Sequence, residues 1–275
     1  MPELPEVETA RRLIADRALH RRITEVTDVD PFVCRPHTPA ELRDALRRRM
    51  LTAARRRGKL MWCETSGTGS PAAPGPPGPD FGIHLGMTGS IVVVSDGEVA
   101  EGGERAWREV TARKADWNRC TLVFADGGRL TLLDPRRLGR IRLNPDFNAL
   151  GPDAGEVTLA EFRALIAKGT IAVKARLLDQ SKIAGIGNLL ADEVLWQAKI
   201  APTAPVGTLR RGDIDRLYRA LASSLASAIA HGGVHTGEVI PARHPGATCP
   251  RCGAEMKHAM VGGRSAWWCS REQTR

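Results

Sequence analysis

Apolar residues recur at Val7, Ala10, Leu13, Ile14 and Ala18, the spacing of a helix with one buried face over residues 6–20. A second helix is predicted over residues 38–50, with Thr38 as cap, Pro39 in the first turn and Glu41 three residues after the cap. Short runs rich in β-branched residues predict strands at 23–29, 60–64, 81–85, 90–94, 120–124 and 129–133, the last two joined at Asp126-Gly127-Gly128. Residues 66–80, dominated by Gly, Pro and Ser, cannot build a core and are expected to be a disordered loop between two strands. From Thr158 the period becomes helical and stays so to about His231. From Pro241 the chain is short, turn-rich and cysteine-bearing. The expected class is therefore α+β, with a sheet-rich N-terminal domain over 1–145, a linker at 146–157, a helical domain over 158–240 and a terminal segment over 241–275.

The 275 residues suffice for two domains and a sizeable core. A net charge of +9 points to a polyanionic partner. The runs Arg47-Arg48-Arg49 and Arg55-Arg56-Arg57, with Lys59, could neutralise phosphates or lie idle on solvated helix faces. No N-terminal apolar stretch reads as a signal peptide and no run reaches membrane-spanning length, so a cytoplasmic protein with reduced thiols and no membrane partner is expected. In that compartment Cys-x-x-Cys points to metal, while the scattered Cys34, Cys63 and Cys120 read as ordinary buried residues.

Three stretches carry candidate chemistry. The chain opens Met1-Pro2-Glu3-Leu4-Pro5-Glu6-Val7-Glu8, and removal of Met1 would leave a secondary amine at Pro2. An α-amino group has a pKa of roughly 8, well below lysine, so a useful fraction is neutral at pH 7 and able to attack carbon. Glu3 beside it could pass protons; the same octapeptide also reads as a plain helix start. Residues 177–193 hold a helix broken by Gly185-Ile186-Gly187-Asn188, which would present backbone N–H groups to a phosphate or serve as a simple turn. Finally, Cys249-Pro250-Arg251-Cys252 and Cys269 have the spacing of two knuckles around one zinc, with Arg264 at the hairpin tip after Gly262-Gly263. The fourth ligand position is Glu272; a carboxylate, a water, His258 or a finger without metal all remain open.

Together with Arg57-Gly58-Lys59-Leu60, His84-Leu85-Gly86-Met87-Thr88-Gly89-Ser90 and Asp134-Pro135-Arg136-Arg137-Leu138-Gly139, these stretches resemble, in order and over nearly the whole chain, the formamidopyrimidine-DNA glycosylase and endonuclease VIII family. The resemblance implies an N-terminal β-sandwich carrying a catalytic helix, a helix-two-turn-helix domain, a β-hairpin zinc finger, and DNA in a basic cleft between the domains. It implies Pro2 as nucleophile, Glu3 as proton carrier and Lys59 as a strand lysine on phosphate near the lesion. Asn188 and Arg264 match the phosphate-gripping pair, Lys174 a further basic DNA contact, and Met87, Arg136 and Leu138 the residues that fill the space of an extruded nucleotide. Zinc would be held by Cys249, Cys252, Cys269 and Glu272.

The chain departs from the formamidopyrimidine branch at Leu138, where phenylalanine is usual, and in the segment 232–248, short for a loop covering a flipped oxidised purine, although 232–237 could form a short lid. The implied activity is base-excision repair of oxidised bases in double-stranded DNA by a monomer, with strand cleavage by β,δ-elimination. The alternatives are an enzyme acting mainly on oxidised pyrimidines or abasic sites, a catalytically inactive damaged-DNA binder of the same fold, and a ribosomal or topoisomerase-type binder, which leaves Pro2 and Glu3 unexplained.

Overall fold

The computed structural model describes residues 2–69, 75–103 and 115–274. The chain divides into two units, one of Pro2 with Glu6–Phe147 and one of Glu3–Pro5 with Asn148–Arg275.

The first unit holds helices α1 (Leu4–Arg17) and α2 (Pro39–Leu46), the former contributing its first two residues to the second unit. The apolar stripe of α1 is buried as its spacing requires, with Val7, Ala10 and Ile14 at most 1% exposed. Helix α2 begins in the capping box formed by Thr38 and Glu41. Among the described residues nine strands follow the chain: β1 (Ile23–Thr27), β2 (Leu51–Arg57), β3 (Leu60–Thr65), β4 (Phe81–His84), β5 (Ser90–Ser95), β6 (Glu98–Gly103), β7 (Asn118–Phe124), β8 (Arg129–Leu133) and β9 (Arg140–Leu143). They form two antiparallel sheets, ordered β1-β7-β8-β5-β6 and β2-β3-β4-β9. Val26, Ile91 and Leu122 of one sheet share a core with Met61, Phe81, Ile83 and Ile141 of the other, which makes the unit a β-sandwich. Gly102 lets β6 approach α1, since a Cβ there would lie 2.8 Å from the Ala10 Cα.

Strands β2, β6 and β9 escape the hydrophobic pattern. The run Arg55-Arg56-Arg57, for which the sequence leaves both phosphate contact and a solvated helix face open, lies in β2, where charged partners on β3 and α1 answer two of its arginines. Arg55 Nε sits 3.0 Å from Glu64 Oε1 and Arg56 Nε 3.1 Å from Glu8 Oε2. Of the loop expected over 66–80, residues 70–74 lie outside the described residues; beyond them, Gly78 N–H donates to the Thr65 carbonyl and Thr65 Oγ1 donates to that of Pro79.

In the second unit are α3 (Leu159–Ile166), α4 (Val173–Leu178), α5 (Asn188–Gln197) and α6 (Arg211–His231), with a hairpin of β10 (Met256–Val261) and β11 (Arg264–Cys269). Thr158 and Glu161 cap α3, and Gly232, at φ 89°, ends α6 in a left-handed turn. Phe162, Leu177, Leu190, Val194, Leu217 and Leu221 bring the four helices into one core, which also takes in Leu4. The break between α4 and α5 spans residues 179–187, longer than the four-residue break that the glycines suggest. Among the described residues no helix is long and apolar enough to cross a membrane.

Candidate active site and nucleic-acid contacts

Pro2 is buried immediately before Glu3, whose side chain is enclosed in the second unit. The Glu3 carboxylate accepts three backbone N–H bonds at the start of α5: Gly187 to Oε2 at 2.9 Å, Leu190 to Oε2 at 3.1 Å and Leu189 to Oε1 at 2.9 Å. The N–H groups expected to cradle a phosphate are therefore occupied by the protein's own carboxylate, which the positive end of the helix favours just as well. Glycine is needed at 187, because a Cβ there would lie 2.5 Å from Glu3 Oε1. Leu4 N–H donates to the Gly185 carbonyl, so both sides of the Glu3–Leu4 peptide are tied to the helix break.

In the first unit the structure brings Met87, Arg136 and Leu138 together on two loops. Asp134, fully buried, accepts from Thr88 Oγ1 at 2.8 Å, Arg136 N–H at 3.2 Å and Gly139 N–H at 2.7 Å, binding both loops to one carboxylate. A Cβ on Gly86 would lie 2.6 Å from the Leu138 carbonyl oxygen, so the loops touch backbone to backbone. Met87 and Leu138 remain 39% and 37% exposed, two apolar side chains held out beside an exposed arginine. Lys59 stands in the β2–β3 turn after Gly58 (φ 61°), not within a strand, because the chain reverses at that glycine. His84, opposite Leu60, is pushed below its ordinary pKa by burial and by the charges of Lys59, Arg140 and Arg142. Its Nδ1 accepts from Gly86 N–H, leaving Nε2 as the donor of the neutral ring.

Lys174, expected to contact DNA, is 0% exposed. Its ammonium donates to Asp192 Oδ1 at 2.6 Å and to the Ser265 carbonyl at 2.5 Å, so it offers no charge to solvent. Burial pushes Asp192 up and Lys174 down, each opposed by the charge of the other. Arg264 is exposed at the hairpin tip after Gly262 (φ 60°) and Gly263 (φ 72°). Asn188 opens α5 and donates to Ser265 Oγ at 3.4 Å, while its Oδ1 is buried with no partner among the described residues.

The sulfurs of Cys249, Cys252 and Cys269 lie within 4.8 Å of one another, with 3.4 Å between the last two. Burial raises Cys249, but the Trp196 indole N–H and the backbone N–H groups of Arg251 and Cys252 outweigh it and bring the thiol to about 7. Burial holds Cys269 above its ordinary value, against N–H donation from Glu272 and Arg271. This donor set suits a thiophilic ion such as zinc. The Glu272 carboxylate lies outside the cluster of three sulfurs, paired with Lys199 at 3.0 Å and Arg251 at 2.8 Å. Cys34, Cys63 and Cys120 are buried as expected, and burial pushes the latter two thiols up to about 12.

Segment 232–237 forms a 3-10 turn, Val234–Thr236, which walls a cavity of about 240 Å³ with Leu190 and Glu193 of α5 and Ser224 of α6. The sequence patterns overlook Asp192, Arg243 and Trp196. Two charged residues in sequence, Asp192-Glu193, inside an otherwise apolar helical stretch are the one signal that marks Asp192.

Residues 1–141 match the formamidopyrimidine-DNA glycosylase N-terminal domain, and residues 149–238 match the H2TH domain of the same enzymes. The chain belongs to the formamidopyrimidine-DNA glycosylase family. It is 31% identical to the formamidopyrimidine-DNA glycosylase of Geobacter metallireducens over the full length of both chains. Identity to the Corynebacterium aurimucosum protein of that name is 33%, over 100% of this chain and 97% of the other. An Arabidopsis thaliana protein of that name is 33% identical over 83% of this chain, which spans 58% of its length. Among solved structures, an LlFpg complex with THF-DNA and an inhibitor has a TM-score of 0.79 at 28% identity, covering 100% of both chains. The Lactococcus lactis Fpg bound to DNA containing FAPY-dG matches at 0.79 and 27%, over 99% of this chain and 100% of that one.

Proposed function

We infer that this protein is a base-excision repair DNA glycosylase that removes oxidised bases from duplex DNA and cleaves the strand at the resulting site. The observation that carries the reading is the Glu3 carboxylate, enclosed and aimed by three N–H groups, next in sequence to Pro2. A carboxyl so constrained beside an amine is costly for a protein that only grips phosphates.

With Met1 removed, the Pro2 nitrogen attacks C1′ of the damaged nucleotide, the C1′–base bond breaks and the base leaves with a proton. The C1′–O4′ bond then opens, O4′ takes a proton and C1′ becomes the iminium of Pro2. The iminium acidifies the C2′ hydrogens, and loss of one expels the 3′ phosphate; a second elimination expels the 5′ phosphate, and water releases the sugar fragment from Pro2. Glu3 carries protons during ring opening and elimination. Met87, Arg136 and Leu138 form the wedge that fills the vacated stack, while Lys59, Asn188 and Arg264 hold backbone phosphates. Leucine at 138 wedges without an aromatic face, and the short 234–236 turn walls a small cavity; both favour oxidised pyrimidines and abasic sites beside formamidopyrimidines. Cys249, Cys252 and Cys269 would hold a structural zinc that ties the knuckle to the end of β11, with the fourth position filled from outside the three thiols.

Borohydride reduction in the presence of abasic-site duplex tests the reading. A covalent adduct at the Pro2 nitrogen is expected. Binding without an adduct would make the protein a non-catalytic DNA binder, and an adduct on a lysine would remove Pro2 from its role.

A further inference from the structure

Asp192 and Lys174 are both 0% exposed, and Arg243 approaches the same carboxylate, its Nε 2.8 Å from Asp192 Oδ2. Enclosing an ammonium and a carboxylate costs several kcal/mol per ion, and an apolar pair of the same volume would serve packing as well or better. What distinguishes this cluster is where its bonds end. Lys174, from α4, reaches the Ser265 carbonyl; Asp192, from α5, accepts the Trp267 N–H at 3.3 Å. Both groups lie on the edge of β11 away from β10, which has no strand partner in the two-stranded sheet. The ion pair thus takes the place of a third strand. Asn188, one turn before Asp192 on α5, reaches Ser265 Oγ, and a Cβ on Gly262 would lie 3.0 Å from the Ala175 Cα, so the hairpin tip rests directly on α4.

We propose that Asp192, with Lys174 and Arg243 as its counter-ions, is a positioning group that fixes the register of β11 against α4 and α5 and so sets Arg264 and Asn188 as one two-point phosphate clamp. This rests on the reading of Arg264 and Asn188 as phosphate contacts. A hairpin without a third strand could slide or twist on the helices, and a displacement of about 1 Å at Ser265 is enough to separate the two donors by more than one phosphate tolerates. Asp192 accepts three hydrogens, from Lys174, Arg243 and the Trp267 N–H, while Lys174 donates a further one to the Ser265 carbonyl, which leaves the carboxylate little freedom of its own. Lys174 accordingly acts on DNA through Ser265 rather than by touching it.

The experiment compares D192N, R264A and their double variant on a duplex carrying a tetrahydrofuran abasic analogue. R264A is expected to weaken binding about tenfold and to lower the slope of log affinity against log salt by about one. D192N should do nearly the same, and D192N added to R264A should cost less than a further twofold. A further full tenfold loss in the R264A background would show that Asp192 acts elsewhere and would overturn the proposal. Hydrogen exchange at the Trp267 amide, measured without DNA, reads the positioning by itself. Exchange at least tenfold faster in D192N is expected; unchanged exchange overturns the proposal whatever the affinities, whereas faster exchange with R264A silent in binding removes only the role of Arg264. Should D192N unfold, the uncharged pair K174M/D192N removes both buried ions: a merely structural role predicts recovery of both stability and the salt slope, the positioning role recovery of stability alone.

Discussion

Replacing Glu3 by glutamine removes one charge and almost no volume, and the structure sets the size of the effect. The carboxylate accepts three N–H bonds from the first turn of α5. An amide offers one oxygen and turns its NH₂ toward at least one of the same donors. Losing one charge-assisted bond and leaving a buried N–H unpaired costs about 2–3 kcal/mol, and loss of the favourable charge at the helix N-terminus adds about 0.3–1 kcal/mol. We therefore expect E3Q to lose about 3 kcal/mol in urea unfolding, seen as a lower midpoint at unchanged slope. Excision in single turnover should fall at least ~100-fold, because the amide cannot exchange protons, while binding to abasic duplex stays within a few-fold. Wild-type excision in E3Q would refute the role of Glu3 in chemistry. Wild-type stability would refute the claim that the α5 amides hold it.

Gly187→Ala leaves the carboxylate intact but puts a Cβ 2.5 Å from its Oε1, so a loss of excision comparable to E3Q is expected; near-normal turnover would show that Glu3 tolerates displacement. Glu8, 8% exposed, is subject to burial that raises its pKa, yet Arg11, Arg12 and Arg56 bring it down to about 2. Because the folded value lies below the ordinary 4.5, its stabilisation is complete above about pH 4.5 and is lost as pH falls toward 2; E8Q should lose about 2 kcal/mol at pH 7 and flatten acid unfolding in that window, and an unchanged acid profile would contradict the ion pairs. Protein purified without chelator is expected to carry about one zinc per chain, and its removal to disorder the hairpin and lower DNA affinity. Metal content near zero with undiminished DNA binding would make the three thiols bystanders.

Periodicity was sufficient wherever an element buries an apolar face. The stripe of α1, the capping box at Thr38, the helical start at Thr158, and the strands around Ile91, Leu122 and Leu132 are legible because local spacing decides which side chains leave water. The positions of Pro2, Glu3 and the three cysteines are likewise linear facts. What sequence could not supply are pairings between distant residues. In β2 only Leu51 and Ala54 reach the core while Arg55 and Arg56 pair with Glu64 and Glu8, so its arginines look like a solvated surface. The amides of Leu189 and Leu190 in α5 and of Gly187 just before it face Glu3, more than 180 residues earlier, and turn an apparent phosphate cradle into a clamp on a carboxylate. Lys174 reads as a surface cation until Asp192 and Ser265 enclose it, and the ion pairs of Glu272 with Lys199 and Arg251 are likewise invisible in the sequence. In each case the residue type is encoded locally, but its charge is answered by a partner that only the fold brings within 3 Å or so, and that partner decides whether the group meets solvent, metal, DNA or the protein itself.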